Sequence, residues 1–232
     1  MARAGTSLKG ATRLPVSPAG EGASLADQAY FAIRALIVSL ELAPGDPIRE
    51  PDLTTQLGIG RTPIREALRR LALERLVEVY PRRGMFVTTV DVRDLTRLCE
   101  VRAVLEPEAA RLAAERATRP DLEVINALIE ELLDTRRRDD RALIDLDERI
   151  HRAIYRTSHN QLLEETLEWY YTHALRIWML ALDRTRTLQS AVLEHHDLLD
   201  AIARGKGERA AELMRAHVEH FEQAMRDVLL DA

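Results

Sequence analysis

The chain has 232 residues, of which 46% are hydrophobic and 31% are charged, which predicts a soluble protein with one large domain or two ordinary ones. No apolar run is long enough to cross a bilayer, and no short apolar segment follows the N-terminal charges, so we expect neither a membrane span nor a secretory signal. The single Cys99 excludes an internal disulfide and any multi-cysteine zinc motif, which favours a reducing cytoplasm.

The net charge of −5 is unevenly distributed along the chain. Residues 1–23 carry a net charge of +2, residues 24–90 carry +1, and residues 91–232 carry −8. Because the acidity lies in the C-terminal part, the overall negative charge does not exclude nucleic-acid binding by the N-terminal part.

The first ordered element is predicted to begin near Ser24. Residues 1–23 are rich in Gly, Ala, Ser, Thr and Pro without apolar periodicity, which indicates a disordered tail. Ser24 and Asp27 have the spacing of a capping box. The apolar positions that follow at helical spacing are Tyr30, Ile33, Ile37 and Leu40. Pro44-Gly45-Asp46 then breaks this helix.

Residues 50–71 have the pattern of a helix-turn-helix. A short helix is predicted to end at Gly58, and a second to begin with Thr62 as N-cap and Pro63 in its first turn. One face of the second helix is apolar and is expected to pack on the domain core; it consists of Ile64, Ala67, Leu68 and Leu71. The other face carries Arg65 and Arg69, which can reach phosphates or the O6 and N7 atoms of guanine, while Thr62 can donate to a phosphate.

A basic β-hairpin is predicted directly after this helix. Residues 77–80 and 85–89 have strand composition, and the turn between them contains Arg82, Arg83 and Gly84. Such a tip is suited to the DNA backbone or the minor groove. Arginines on an arbitrary helix would be a solvated face, but here the turn, the arginine face and the basic hairpin coincide within about 40 residues, which favours DNA binding.

Residues 30–87 resemble the GntR family of bacterial regulators. The matching positions are Pro44, Gly45, Glu50, Leu53, Leu57, Gly58, Arg61, Thr62, Pro63, Arg65, Glu66, Ala67, Leu68, Leu71, Val77 and Gly84. The resemblance implies that Arg61, Arg65 and the turn at Gly84 contact DNA. Gly60 departs from the family pattern, which has Ser or Thr there, so one hydroxyl contact to DNA is missing.

From residue 91 onward the pattern is helical, which predicts an all-α bundle. The predicted helices span residues 91–117, 121–137, 140–157, 161–183, 187–204 and 207–230. Pro107 is expected to kink or split the first of them. This part resembles the FCD-type ligand-binding domain of the FadR subgroup. The expected fold is therefore mainly α, with a winged helix-turn-helix at 24–90 and an all-helical metal- and effector-binding and dimerisation domain at 91–232.

Three predicted helices carry polar side chains within their apolar stripes. Asp147 and His151 lie four residues apart on one helix, His195 lies at the centre of a second stripe, and His217 lies within a third. Each could be a satisfied core residue, but four such groups directed into one bundle favour a metal site. The resemblance agrees, since many members of the subgroup bind a divalent metal through one Asp and three His. This donor set suits Zn²⁺, Ni²⁺ or a similar transition metal better than Mg²⁺ or Ca²⁺.

Arg102 also lies on an apolar stripe, where a guanidinium requires a carboxylate. That carboxylate could belong to a bound effector or to Glu106 one turn on; the residues leave both open, and the resemblance favours the effector. Further candidates for effector binding are Tyr155, His173 and Arg176. The aromatic cluster is interpreted as core, and it comprises Trp169, Tyr170, Tyr171 and Trp178. The run 136–138 of three arginines is interpreted as a solvated helix end.

Three functions fit these patterns. The first is a cytoplasmic transcriptional regulator, a repressor, which binds a pseudo-palindromic operator as a homodimer and responds to a small carboxylate metabolite. The second is a metalloenzyme, but the sequence offers no general base for it and leaves the DNA-binding part unexplained. The third is a DNA-binding protein with a purely structural metal and no effector, which stays open because ligand response is not written in a motif.

Overall fold

The computed structural model describes residues 23–134, 139–182 and 188–230. Residues 1–22 of the predicted N-terminal tail lie outside this part, and so does the arginine run 136–138. The N-terminal domain contains helix α1 (Leu25–Val38), strand β1 (Pro47–Ile48), helices α2 (Glu50–Leu57) and α3 (Arg61–Leu73), and strands β2 (Val77–Tyr80) and β3 (Gly84–Val87). These elements confirm the predicted winged helix-turn-helix.

Local sequence determines where the helices of this domain begin and end. The Ser24 hydroxyl accepts a hydrogen bond from the backbone N–H of Asp27 at 3.1 Å, which caps α1 as predicted. Gly58 ends α2 with a φ of 68°, which is the left-handed conformation that glycine adopts at low cost. The prediction that Thr62 caps α3 is wrong, because Gly60 is the N-cap. Pro63 is still tolerated, since the first four N–H groups of a helix have no intrahelical acceptor.

The wing is a three-stranded antiparallel sheet with the order β1-β3-β2. Val77 pairs with Val87 and Tyr80 with Gly84 across the predicted hairpin. Strand β1 was not predicted, because two residues are too few to show a periodic pattern; Ile48 pairs with Met85. The core of the domain is formed by α1, α3 and the sheet, and its fully buried members include Ile33, Ile37, Ile64, Leu68 and Leu71.

The C-terminal domain consists, within the described residues, of helices only. They are α4 (Val92–Arg116), α5 (Arg119–Leu133), α6 (Asp140–Thr157), α7 (Gln161–Ala181), α8 (Leu188–Ala203) and α9 (Gly207–Leu230). These bounds agree with the predicted helices to within a few residues. Pro107 lies inside α4 without dividing it, so the expectation of a split is wrong. None of the described helices is both long and apolar enough to be a membrane span.

The two domains meet where α7 lies against the C-terminal end of α3. The backbone oxygen of Glu74, the C-cap of α3, accepts hydrogen bonds from Trp169 Nε1 at 3.1 Å and from His173 Nε2 at 3.0 Å. Arg176 donates from Nη1 to the hydroxyl of Thr88 at 2.8 Å and from Nη2 to its carbonyl. We call these five residues the domain junction. It attaches the end of α3 directly to the helical domain.

The two glycines that flank the turn between α2 and α3 give a matched test of this local structure. Gly58→Ala should destabilise the two helices by about 1 kcal/mol, because a Cβ is unfavourable at positive φ. Gly60→Ser should stabilise them by about 0.5 kcal/mol, because the new hydroxyl can cap α3. Hydrogen-exchange mass spectrometry of the full chain would measure both changes in peptides from α2 and α3. Unchanged exchange in Gly58→Ala would contradict this account of the turn.

Candidate nucleic-acid interface and metal centre

The candidate DNA-binding residues of α3 lie on its solvent-exposed face. Arg61, Thr62, Arg65 and Arg69 are all exposed, whereas the apolar stripe of the same helix is fully buried in the domain core. A helix of this kind presents its first turns to a major groove while its opposite face stays anchored. The structure thus leaves the predicted arginine face free for a ligand.

Arg65 is held in place by an ion pair with the preceding helix. Its Nε lies 2.7 Å from Glu50 Oε2, and Glu50 is the first residue of α2. The Arg65 side chain is 60% exposed, so the pair contributes little to stability. Its consequence is geometric, because it holds the Arg65 guanidinium beside the first residue of α2. Sequence reasoning recorded Glu50 only as a position that matches the family.

The turn of the wing displays two further cations. The N–H of Arg83 donates to the carbonyl of Tyr80 at 3.1 Å, which closes the turn, and the Arg83 guanidinium lies over the Tyr80 ring at 5.7 Å. Arg82 has a φ of 64°, where a non-glycine residue is strained, and Gly84 has a φ of 101°. Arg82, Arg83 and Gly84 are exposed, so the predicted basic tip is present on the surface.

The four predicted metal ligands converge in the interior of the helical domain. Asp147 and His151 lie on α6, His195 on α8 and His217 on α9. All four are buried, and one ligand atom from each lies within 4.8 Å of the others. This confirms that the three helices bring the four side chains together, and the cluster could hold a metal ion. We call these four residues the His3Asp cluster.

The orientation of two imidazoles fits metal binding. His151 Nδ1 lies 3.0 Å from the carbonyl of Asp147, and His195 Nδ1 lies 3.1 Å from the carbonyl of Val192. A carbonyl only accepts, so each Nδ1 carries the proton and each Nε2 presents a lone pair. Both Nε2 atoms are buried and have no hydrogen-bond partner among the described residues. Orphaned lone pairs of this kind are what a metal ion requires.

The other members of the cluster lie beside polar groups. Tyr171 donates its hydroxyl proton to Asp147 Oδ2 at 2.7 Å. His217 Nδ1 lies 3.4 Å from Glu194 Oε2 but forms no hydrogen bond with a described residue. Sequence reasoning missed both neighbours. Tyr171 was interpreted as part of the aromatic core. Its contact with Asp147 depends on the packing of α7 against α6, which the sequence pattern does not show.

Burial sets the protonation of the cluster. Burial and, after it, the neighbouring His217 lower the pKa of His195 to about 4, so this ring is neutral at neutral pH. The pKa of His151 is also lowered, chiefly by burial. For Asp147, burial opposes ionisation, but the surrounding imidazoles and Tyr171 outweigh it and lower the pKa of the carboxyl. Neutral histidines and an ionised aspartate are the forms that bind a metal.

Arg102 forms the internal salt bridge that the sequence left as one of two alternatives. Its Nε lies 2.6 Å from Glu106 Oε1, and its Nη2 lies 3.3 Å from Oε2, with both residues fully buried. Tyr155 donates to Glu106 Oε1 at 2.9 Å. Burial opposes ionisation of Glu106, but the Arg102 charge, followed by His151, lowers the pKa of the carboxyl. Glu106 Oε2 lies 3.8 Å from His151 Nε2, so this network borders the His3Asp cluster.

The remaining effector candidates lie elsewhere. His173 and Arg176 belong to the domain junction rather than to the surroundings of the His3Asp cluster. The four effector-binding candidates therefore lie in two places, with Arg102 and Tyr155 beside the His3Asp cluster and His173 and Arg176 at the domain junction. The aromatic cluster is divided as well: Trp178 packs on Phe221 in the core, whereas Trp169 lines a cavity at the junction.

Comparison with known proteins assigns the chain to a family. Residues 25–87 match the bacterial regulatory proteins of the gntR family, and residues 97–220 match the FCD domain. The chain belongs to the GntR family. Within this family, it is 32% identical over 195 residues to an uncharacterised HTH-type transcriptional regulator in an unstable DNA locus of Streptomyces ambofaciens, covering 82% of this chain and 80% of the relative.

The chain is also similar to a second curated protein and to a solved structure over most of its length. The HTH-type transcriptional repressor RspR of Escherichia coli is 23% identical, with 87% of this chain and 89% of the relative covered. Among solved structures, E. coli McbR/YncC superposes with a TM-score of 0.73 at 27% identity, covering 86% of this chain and 98% of that one. The matched GntR-family proteins are transcriptional regulators, so this chain is a regulator and not an enzyme.

Removal of single histidines tests the His3Asp cluster. We expect wild-type protein incubated with Zn²⁺ and desalted to keep about one ion per chain. His195→Ala and His217→Ala should each weaken zinc retention about tenfold or more, because each removes a buried lone pair that faces the other ligands. The matched control is His196→Ala, whose exposed ring contacts Asp197 and lies outside the cluster. Metal content measured by mass spectrometry checks this, and full retention in both variants would refute the site.

Proposed function

We propose that this GntR-family regulator is a homodimeric repressor that binds a pseudo-palindromic operator and releases it when a small organic acid binds beside a metal ion. The observation that carries the DNA-binding part is the exposed arginine face of α3 next to the basic turn of the wing. Repression is proposed because a relative in Escherichia coli carries the name of a transcriptional repressor.

The DNA contacts are assigned by their place on the surface. Arg65 and Arg69 would enter the major groove, and Arg61 and Thr62 at the start of α3 would contact phosphates. Arg82, Arg83 and Gly84 would lie against the backbone or the minor groove beside α3. A symmetric dimer would place two copies of α3 on half-sites about 34 Å apart.

The effector part of the proposal rests on the His3Asp cluster and on Arg102. Arg102 Nη1 is buried without a hydrogen-bond partner among the described residues, although its other two nitrogens bind Glu106. A carboxylate could accept from Nη1, and Tyr155 would hold Glu106 in position beside it. A divalent ion held by the cluster, Zn²⁺ or a similar transition metal, would supply a positive charge for an oxygen of the same acid.

A second candidate is a DNA-binding regulator whose metal is purely structural. The observation that favours it is the complete internal pairing of Glu106 with Arg102 and Tyr155, together with the burial of all four cluster residues. In that case metal removal would unfold the helical domain and no small acid would alter DNA affinity.

Two arginine substitutions test the DNA-binding surface. A duplex selected by the wild-type protein from random sequences would serve as the operator. Arg65→Ala and Arg69→Ala should each weaken its binding by about 1–3 kcal/mol, which is roughly 5- to 150-fold, because each removes a cation from the groove face. Arg209→Ala is the matched control, since Arg209 is an exposed helical arginine in α9, paired with Glu212. Fluorescence anisotropy gives the affinities, and wild-type affinity in the double variant would disprove the proposal.

Small acids distinguish the two candidate functions. With zinc-loaded wild-type protein on the selected duplex, malonate or succinate should weaken DNA binding several-fold if the cluster senses organic acids. The same acids should have no effect on His217→Ala, which retains the DNA-binding domain. If neither acid changes the affinity of the wild type and zinc chelation unfolds the helical domain by circular dichroism, the structural-metal alternative is correct.

A further inference from the structure

A cavity of about 720 Å³ lies at the domain junction, separate from the His3Asp cluster. Its wall on the DNA-binding side includes Arg75 and Thr88, and its wall on the helical side includes Trp169 and Arg176. This volume is within the range of small-molecule sites, and such sites occur preferentially between domains. Neither the family match nor the His3Asp cluster accounts for this cavity.

Arg176 is a buried cation without a counter-ion in the wall of this cavity. It is 1% exposed, and among the described residues its guanidinium donates to the hydroxyl and carbonyl of Thr88 alone. Its Nε has no hydrogen-bond partner, and no carboxylate of the described residues pairs with it. An unpaired charge in the interior is costly, and burial lowers the pKa of Arg176 to about 10. An anion in the cavity would remove this cost.

The other charged groups of the cavity do not supply a counter-ion for Arg176. The two acidic residues of the wall both have partners other than Arg176, since Glu78 accepts from the Tyr80 hydroxyl and Asp94 lies 3.6 Å from Arg97, which also lines the cavity. Besides Arg176 and the Arg97 that lies beside Asp94, the wall carries the exposed Arg75. His173 adds no charge, because burial lowers its pKa to about 4 and its Nε2 donates to Glu74.

The uncharged residues of the wall indicate that the part of the ligand beyond its carboxylate is apolar. Trp169 and Tyr170 contribute aromatic surface, and Leu98, Val101 and Ile177 contribute aliphatic surface. A guanidinium fork with an apolar wall beside it matches a carboxylate attached to a ring or a short hydrocarbon chain. An inorganic anion would leave the apolar part of the wall uncovered.

We propose that the junction cavity binds a small organic carboxylate, with its carboxylate on Arg176 and its apolar body against Trp169. The site does not depend on the metal, on Arg102 or on the effector site proposed above. Its occupant would touch both domains within a few residues of Glu74, where α3 ends. Because the ligand contacts both domains, its affinity depends on their arrangement, and binding would favour one arrangement of α3 over others.

Trp169 provides a direct measurement of occupancy. The chain has two tryptophans, so the Trp178→Phe variant leaves Trp169 as the one reporter in the wall. Titration of this variant with benzoate, phenylacetate or cyclohexanecarboxylate should give a saturable change in tryptophan emission. Benzyl alcohol, which has the ring but no charge, should give none.

Three further variants in the Trp178→Phe background locate the binding. Arg176→Gln should weaken acid binding about 10- to 100-fold through loss of the charge-assisted hydrogen bonds. Arg209→Gln and His217→Ala should leave it unchanged, since one removes a remote arginine and the other disrupts the His3Asp cluster. Thr166→Phe should fill the cavity and abolish binding while Arg176 stays unchanged. The exposed Thr166 hydroxyl donates to the Leu162 carbonyl of its own helix, so its loss leaves no side chain of another helix without a hydrogen-bond partner.

The outcomes separate this site from the metal site. A saturable response that is lost in Arg176→Gln or Thr166→Phe and kept in His217→Ala supports the proposal. The proposal is overturned if none of the three acids gives a saturable response up to about 10 mM, well above the Kd of a weak fragment. It is equally overturned if the response survives Arg176→Gln and Thr166→Phe, or if it disappears in His217→Ala, which would place the acid at the metal.

Discussion

The interior of the helical domain depends on the buried pair of Arg102 and Glu106. The two side chains are 2.6 Å apart and fully removed from water, so loss of either would leave an uncompensated charge at a cost of about 3–5 kcal/mol. The pair also connects helices, because Tyr155 of α6 donates to Glu106 of α4, and His151 of α6 lies beside it. The bundle can therefore bury these charges only when α4 and α6 pack in one relative position. The same position places His151 in the His3Asp cluster.

Helix α7 contacts both the His3Asp cluster and the N-terminal domain. On one side, Tyr171 donates to Asp147 within the His3Asp cluster. On the other side, Trp169 and His173 donate to the carbonyl of Glu74 at the end of α3. These three residues lie within about one turn of α7, so a single short stretch of helix contacts both Asp147 and the end of α3.

Much of the fold followed from local patterns. The strand-turn-strand of the wing and the helices of the C-terminal domain were predictable because their apolar residues repeat with the period of the element that buries them. The convergence of Asp147, His151, His195 and His217 was predictable for the same reason, since each occupies the apolar stripe of its helix. Thr62 was predicted as the N-cap of α3 because threonine is a preferred N-cap residue. In the structure the backbone begins the helix earlier, and Gly60 is the N-cap.

The sequence by itself determined the fold class, the two domains, the arginine face of α3 and which four residues form the His3Asp cluster. All of these depend on the spacing of residues within one helix or strand. Only the tertiary structure decided the partners of the buried charges. Arg102 binds Glu106 one turn away through two of its three guanidinium nitrogens, Nε and Nη2. His173 and Arg176 face Glu74 and Thr88, which precede them by 99 and 88 residues, and no local pattern encodes a contact over that separation.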